Sequence, residues 1–204
     1  MNRATAAIAA LACVLVASFA VREQQEKPAP AQNDGPRYQN GTHLIRPADY
    51  REWTFLGSGL GLTYEAEPGP GAQNRPQSFS NVFVNPSSYR HFMQTGTWKD
   101  GTVFVLEFRS AGTGVLPNTT GRFQTNLLGL EAEVKDSRFP NGWAFFEFGR
   151  ANELKDAVEP TAGEREAGCI ECHTKHTAVE RTFVQFYPTL LEVAREKKTL
   201  RPGY

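Results

Sequence analysis

The most constraining feature of this 204-residue sequence is a cluster of two cysteines and a histidine near its C-terminal end. Cys169, Cys172 and His173 follow the Cys-x-x-Cys-His spacing that is typical of covalent attachment of a c-type heme. Each residue of a helix advances by roughly 100°, so both thiols and the imidazole fall on one narrow helical face. The thiols would add to the porphyrin vinyl groups, and the imidazole would bind the iron. The motif therefore predicts one heme c with His173 as the iron ligand.

Two other kinds of site use the same residue types. A redox-active Cys-x-x-Cys disulfide does not need the histidine and is expected beside a βαβ unit. A zinc site formed by Cys169, Cys172, His173 and His176 has suitable ligands. However, neighbouring residues such as Cys172 and His173 rarely both reach one tetrahedral metal. Heme attachment is therefore the favoured interpretation, and it agrees with an export signal at the N-terminus.

The first forty residues have the composition of an export signal followed by a linker. Residues 1–20 fit a secretory signal peptide, because Arg3 precedes a short apolar run and Ser18-Phe19-Ala20 is a small-x-small cleavage site. An uncleaved N-terminal membrane anchor is the alternative. Residues 21–40 are rich in Gln, Pro and charge, which predicts a disordered linker. We expect a periplasmic or otherwise exported protein whose heme domain spans residues 41–204.

The charge balance bears on which macromolecules the chain could bind, and the cysteine content bears on whether disulfides stabilise the fold. The chain has 22 basic and 22 acidic residues, so its formal net charge of zero gives no sign of nucleic-acid binding. One of the three cysteines, Cys13, lies in the leader and the others belong to the heme motif, which leaves none for a disulfide framework. The 14 Phe, 6 Tyr and 3 Trp residues provide enough aromatic surface to enclose a large flat cofactor.

The sequence before the heme motif is dominated by strand-like patterns. Strands are predicted over residues 54–63, 81–85, 101–110, 122–135 and 141–149. Helices are predicted over residues 46–53, 87–94, 178–187 and 189–198. The predicted fold is α+β and mainly β, an antiparallel β-sheet with short flanking helices and a heme-bearing helical turn near the C-terminus. Small electron-carrying c-type cytochromes are instead all-helical, with an N-terminal heme motif.

Further motifs occur in order along most of the mature chain. They are Asp49-Tyr50-Arg51-Glu52-Trp53, Val82-Phe83-Val84-Asn85-Pro86, Thr95-Gly96-Thr97-Trp98-Lys99-Asp100-Gly101-Thr102-Val103, Gly129-Leu130-Glu131-Ala132, Val134-Lys135-Asp136-Ser137, Asn141-Gly142-Trp143-Ala144-Phe145 and Phe186-Tyr187-Pro188. Together with the heme motif, they resemble the cytochrome P-460 and cytochrome c′-beta family of periplasmic heme proteins. The resemblance implies an antiparallel β fold that forms a homodimer through its sheets. It also implies a five-coordinate heme with histidine on one side and an open distal side.

The resemblance also places residues on the distal side. A lysine that cross-links to the porphyrin in hydroxylamine-oxidising members falls on Leu106, which has no nucleophilic atom. A distal arginine of those members falls on Ser80, whereas a distal glutamate matches Glu131. These differences imply a chain closer to the c′-beta members, in which a hydrophobic distal pocket favours nitric oxide or carbon monoxide.

Strand alternation supports an apolar distal wall. Phe104 and Phe108 share the strand face of Leu106, so these three side chains would contact the heme together. Such a wall offers bound O₂ no hydrogen-bond donor, which favours nitric oxide. Glu131 would be a distal acid–base group, because an apolar pocket disfavours its charged form and raises its pKa. The alternative is a strand glutamate that faces solvent or pairs with an arginine.

Three functions are consistent with these features, in the following order of preference. The first is binding of nitric oxide or a similar small ligand at a five-coordinate heme. The second is an oxidoreductase that acts on hydroxylamine or another small nitrogen compound and passes electrons to a redox partner protein. The third is a six-coordinate electron-transfer cytochrome with Met93, His91 or His43 as the sixth iron ligand. The chain is an enzyme only in the second case.

Overall fold

The architecture comes from a computed structural model that describes residues 33–62, 77–117 and 119–204. The predicted signal peptide and residues 21–32 of the predicted linker lie outside the described residues. In chain order the elements are β1 (Tyr38–Gln39), β2 (His43–Ile45), β3 (Thr54–Leu60), β4 (Ser78–Val84), α1 (Pro86–Thr95), β5 (Thr102–Gly112), β6 (Phe123–Lys135), β7 (Trp143–Arg150), β8 (Ala157–Val158), α2 (Gly163–Lys175) and α3 (Pro188–Lys197). Single 3₁₀ turns occur at Tyr50–Glu52 and Val184–Phe186.

A sheet of antiparallel strands organises the described part of the chain. Its strand order is β3-β4-β5-β6-β7, so each strand pairs with its neighbour in sequence. Strands β1, β2 and β8 form a smaller antiparallel sheet. The prediction of a mainly β, α+β fold with short helices is confirmed.

The large sheet buries apolar side chains on both faces. Val103 and Val105 of β5 enter one hydrophobic core, whereas Phe104 enters the other, as strand alternation requires. The first core includes Leu44 and Val158 of the small sheet. The second core contains residues of α1, α3, the 3₁₀ turn at Val184 and the segment after α2, namely Phe92, Ala178, Val179, Val184, Leu190 and Ala194. The C-terminal helical region therefore covers the sheet face that carries Phe104.

Helix α1 confirms the helix predicted over residues 87–94 and extends it by one residue at each end. Pro86 occupies its first turn, where the missing N–H costs nothing. Gly96 ends the helix with a left-handed φ of 73°, and its N–H donates to the carbonyl of Phe92 at 2.7 Å. The hydroxyl of Thr199 donates to the carbonyl of Gly96 at 2.7 Å. The end of α1 is therefore bonded to the segment that follows α3.

The folded region begins before the expected start at residue 41. Strand β1 pairs with β2, with Tyr38 opposite Leu44. Further upstream, the carboxylate of Asp34 accepts a 2.7 Å hydrogen bond from the backbone N–H of Ser87. This contact satisfies a donor in the first turn of α1, which lacks partners within the helix.

The predicted helix over residues 178–187 is wrong. An isolated bridge joins Val179 to Thr182, and Glu180 has a φ of 50°, which is incompatible with an α-helix. Ala178 and Val179 are both fully buried although they are adjacent. The hydroxyl of Thr182 also accepts a hydrogen bond from the indole N–H of Trp98 at 2.8 Å. Tertiary contacts therefore override the helical pattern in this segment.

Two smaller differences concern the other helices. The helix predicted over residues 46–53 is shortened to the 3₁₀ turn Tyr50–Glu52. Pro188 does not interrupt a helix but lies in the first turn of α3. None of the helices in the described ranges has the length and apolar content needed to cross a membrane.

Candidate heme site

Helix α2 carries the Cys-x-x-Cys-His residues, as predicted. Cys169 and Cys172 are free thiols, and both are partly exposed on this helix. Burial raises the pKa of the Cys169 thiol, and the nearby Arg165 opposes this effect. Burial and then the charge of Glu171 raise the pKa of Cys172. Both sulfurs therefore remain protonated thiols at neutral pH.

The imidazole of His173 is held in one orientation. Its Nδ1 lies 2.7 Å from the carbonyl oxygen of Arg181, and an oxygen acceptor requires Nδ1 to carry the proton. The rings of Phe145 and Phe183 pack edge-on against the imidazole, each with its centroid 4.8 Å away. The neutral ring then presents Nε2 as its unprotonated nitrogen, the form in which histidine binds a metal.

The carboxylate of Glu133, which the sequence analysis did not identify, also lies beside the imidazole of His173. Oε1 of Glu133 is 3.1 Å from Nδ1 of His173, and the Glu133 side chain is only 12% exposed. This oxygen has no hydrogen-bond partner among the described residues, and neither does the buried Nη1 of Arg181. Burial raises the pKa of Glu133, although His173 and Arg181 oppose the shift. Burial alone would lower the pKa of His173, but Glu133 and the Arg181 carbonyl outweigh it and raise the pKa.

The residues predicted to form the apolar distal wall, Phe104, Leu106 and Phe108, differ in their surroundings. Cross-strand pairing places Leu106 opposite Glu131, Phe108 opposite Gly129 and Phe104 opposite Glu133, all on one face of the sheet. Phe104 is 5% exposed and makes an edge-to-face contact with Trp98, so it fills the core. Leu106 and Phe108 are half-buried. Leu106 and Phe108 are therefore better placed than Phe104 to line a site.

A cavity of about 440 Å³ lies on this face, next to α2. Its lining residues are Ser78, Phe108, Leu128, Gly129, Leu130, Glu131, Glu147, Gly149, Arg150 and Arg165. A bulge between β6 and β7 shapes the cavity, because the register shifts between Leu130 and Glu131, next to Gly149 with its φ of 101°. Cavities of this size commonly hold small ligands. Ser80, the position matched to a distal arginine, pairs with Phe108 on the neighbouring strand and is buried.

Glu131 lines the cavity and also contacts an arginine. Nη2 of Arg165 lies 3.5 Å from Oε1 of Glu131 and forms an ion pair with Glu147 as well. Glu131 and Glu147 are directly opposite each other on β6 and β7, so the guanidinium offsets the repulsion of two adjacent carboxylates. Because Arg165 belongs to α2, this contact links the cysteine-bearing helix to the sheet at the cavity.

The other histidines and Met93 lie outside the cavity lining. Nε2 of His43 is 3.1 Å from Glu159, and His43 belongs to the small sheet. His91 and Met93 lie on α1, where Met93 packs against the second core. His176 caps the C-terminal end of α2. Among the described residues, no group of three or more His, Cys, Asp or Glu side chains is arranged to hold a metal ion.

An antiparallel sheet with a Cys-x-x-Cys-His helix packed beside a cavity defines a class of β-rich heme proteins, distinct from the all-helical cytochromes. The family model described as Cytochrome P460 matches residues 47–184, more than half of the chain. The chain belongs to this family, and the family identifies it as a heme protein. A search of curated proteins found no match. The residues fit a heme in kind, because one helix carries two free thiols and an imidazole with an available Nε2, and Arg165 of the same helix lines a cavity.

Proposed function

We propose that the protein is an exported c-type cytochrome whose five-coordinate heme binds nitric oxide or a similar small ligand. Cys169 and Cys172 would hold the porphyrin through thioether bonds, and Nε2 of His173 would hold the iron. The bound heme would supply an iron coordination position for the ligand. The observation that carries this proposal is the cavity lining, which includes no His, Met, Cys or Lys among the described residues.

Side chains of the cavity support discrimination between ligands. Phe108 and Leu128 contribute apolar surface, and Leu106 adds a half-buried aliphatic chain on the same sheet face. Nη2 of the Arg165 guanidinium is engaged by Glu131 and Glu147, which makes this nitrogen less available to an incoming ligand. A pocket that offers few hydrogen-bond donors stabilises polarised O₂ poorly, which favours nitric oxide or carbon monoxide.

The position of Glu131 favours a second candidate function, oxidation of hydroxylamine or another small nitrogen compound. Its carboxylate lines the cavity, where it would accept a proton from the substrate. Arg165 would hold that carboxylate in place, and the electrons would pass to a redox partner protein. Leu106 lies directly opposite Glu131 and provides no amine for a cross-link to the porphyrin.

Absorption spectra test the first proposal. The protein would be produced with an intact cytochrome maturation system and studied oxidised and reduced, with and without nitric oxide. We expect a high-spin, five-coordinate ferrous spectrum and rapid formation of a nitric oxide adduct. A colourless protein, a low-spin six-coordinate ferrous spectrum or slow adduct formation would contradict the proposal.

A hydroxylamine assay with an artificial electron acceptor tests the second candidate. Wild type and Glu131→Gln would be compared, with Glu164→Gln as a control that removes an exposed carboxylate from the first turn of α2. A loss of turnover confined to Glu131→Gln supports acid–base work by Glu131. Absence of turnover in the wild-type protein would exclude this candidate.

We also propose that the protein is exported to the periplasm and forms a homodimer, as its resemblance to other family members implies. Cell fractionation would test the location, and light scattering of the purified heme protein would test the mass. A cytoplasmic product or a monomeric mass would contradict the respective part of the proposal.

A further inference from the structure

We propose that Glu133 is a positioning residue for the iron ligand. Its buried carboxylate lies beside Nδ1 of His173, makes the imidazole a stronger donor and thereby lowers the reduction potential of the iron. The inference rests on the proposed binding of heme iron by Nε2 of His173.

Two acceptors converge on the same N–H group. The carbonyl oxygen of Arg181 lies 2.7 Å from Nδ1 of His173, and Oε1 of Glu133 lies 3.1 Å from the same atom. The carbonyl is the aligned hydrogen-bond acceptor and fixes the tautomer. In its ionised form, which His173 and Arg181 favour against the effect of burial, the carboxylate adds a negative charge close to the ring. Together they increase the electron density that the ring donates through its other nitrogen.

The ring is prevented from turning away from the carboxylate. Phe145 and Phe183 contact the imidazole at interplanar angles of 65° and 71°, with both centroids at 4.8 Å. Phe145 also pairs directly with Glu133 across β6 and β7. The strand that carries the carboxylate and the strand that supplies one flanking ring therefore fix the same side of His173.

Burial of Glu133 is costly unless the carboxylate interacts with a charged or polar group. Its Oε1 has no hydrogen-bond partner among the described residues, so it lacks the usual compensation for leaving water. The cation of Arg181 lies close enough to interact with Glu133 electrostatically. An apolar residue here would pack beside Phe104 and Phe145 without this cost. The carboxylate is better explained by its effect on His173 than by its contribution to stability.

The direction of the effect on the iron follows from charge. A negative group beside the imidazole stabilises positive charge on the ligand and therefore favours the ferric over the ferrous state. Removing the charge while keeping the side-chain shape should favour reduction. Glu133→Gln makes this change.

The experiment compares purified heme-loaded wild type, Glu133→Gln, Glu133→Asp and Glu171→Gln. We expect Glu133→Gln to favour reduction at least tenfold, an increase of about 59 mV for one electron. Its ferrous iron–histidine stretching frequency, measured by resonance Raman spectroscopy, should fall. Glu133→Asp keeps the charge and should remain closer to the wild type. Glu171→Gln removes an exposed carboxylate at an intervening position of the heme motif, and it should produce a much smaller change.

Equal potentials and stretching frequencies in wild type and Glu133→Gln would overturn the inference. If Glu133→Gln yields no heme protein, the iron–histidine stretching frequency of the wild-type ferrous protein tests the inference instead. We expect it above that of a ferrous heme bound to neutral imidazole, and a value at or below that reference overturns the inference. A wild-type protein without covalent heme would instead overturn the proposed function itself.

Discussion

Glu131 and Glu133 lie two residues apart on one face of β6, yet their carboxylates have different neighbours. Glu133 lies 3.1 Å from His173, whereas Glu131 lines the cavity and contacts Arg165. A rise of about 3.4 Å per residue separates the two positions by about 7 Å along the strand. The same face of β6 therefore supplies the Glu131 carboxylate to the cavity and the Glu133 carboxylate to the imidazole of His173.

The first prediction concerns covalent attachment. In Cys172→Ala we expect heme joined by a single thioether bond, because one vinyl group has lost its thiol. The remaining vinyl group extends the conjugation of the porphyrin, so the pyridine hemochrome band should move to longer wavelength. Thr174→Ala, an exposed change on the same helix, should leave the band in place. An unchanged band in Cys172→Ala would show that Cys172 does not bind the porphyrin.

The second prediction concerns the apolar side chain opposite Glu131. We expect Leu106→Gln to stabilise the O₂ adduct, because the amide introduces a hydrogen-bond donor on the cavity-bearing face. A hydrogen bond contributing about 1 kcal/mol would slow O₂ dissociation roughly fivefold, as measured by stopped-flow absorption. Leu106→Met keeps the site apolar and serves as the control. Equal O₂ dissociation rates in both variants would place Leu106 outside the ligand pocket.

The sequence indicated the strands and the heme motif because both depend on local patterns. The alternation of β5 and the spacing of Cys169 to His173 need no knowledge of distant contacts. Glu133 was missed because its relationship to His173 arises only when α2 packs against the sheet. Arg181 was missed for a related reason, since the segment around it has a helical pattern that buried contacts of Val179 and Thr182 override.

The third prediction concerns pH and the buried Glu107, on the sheet face opposite the cavity. Burial raises its pKa, but hydrogen bonds from Arg109, Tyr50, Arg51 and Asn81 outweigh it and lower the pKa to about 2. A carboxyl with a depressed pKa stabilises the fold above its unfolded pKa, near 4.5, and this contribution is lost as pH falls towards 2. The shift corresponds to roughly 3 kcal/mol at neutral pH.

Urea unfolding of the heme protein at several pH values would measure this contribution. The difference in unfolding free energy between wild type and Glu107→Gln should be largest near pH 7. It should shrink as the pH falls below about 5, because the wild-type carboxylate becomes protonated. A difference that stays constant from pH 7 to pH 3 would contradict the assigned role of these hydrogen bonds.

The final prediction concerns the junction of α1 with the segment after α3. Gly96 has a φ of 73°, and a Cβ there would lie 2.7 Å from Cβ of Lys197 and from Oγ1 of Thr199. Gly96→Ala combines backbone strain with a clash, so we expect a loss of at least about 2 kcal/mol in unfolding free energy. Gly41→Ala is the matched control, because Gly41 has a φ of 84° and no atom within 4 Å of the added Cβ. Its cost should be about 1 kcal/mol from the backbone alone. Equal losses would mean that the close approach of α1 to Lys197 and Thr199 relaxes freely, which would contradict the expected clash.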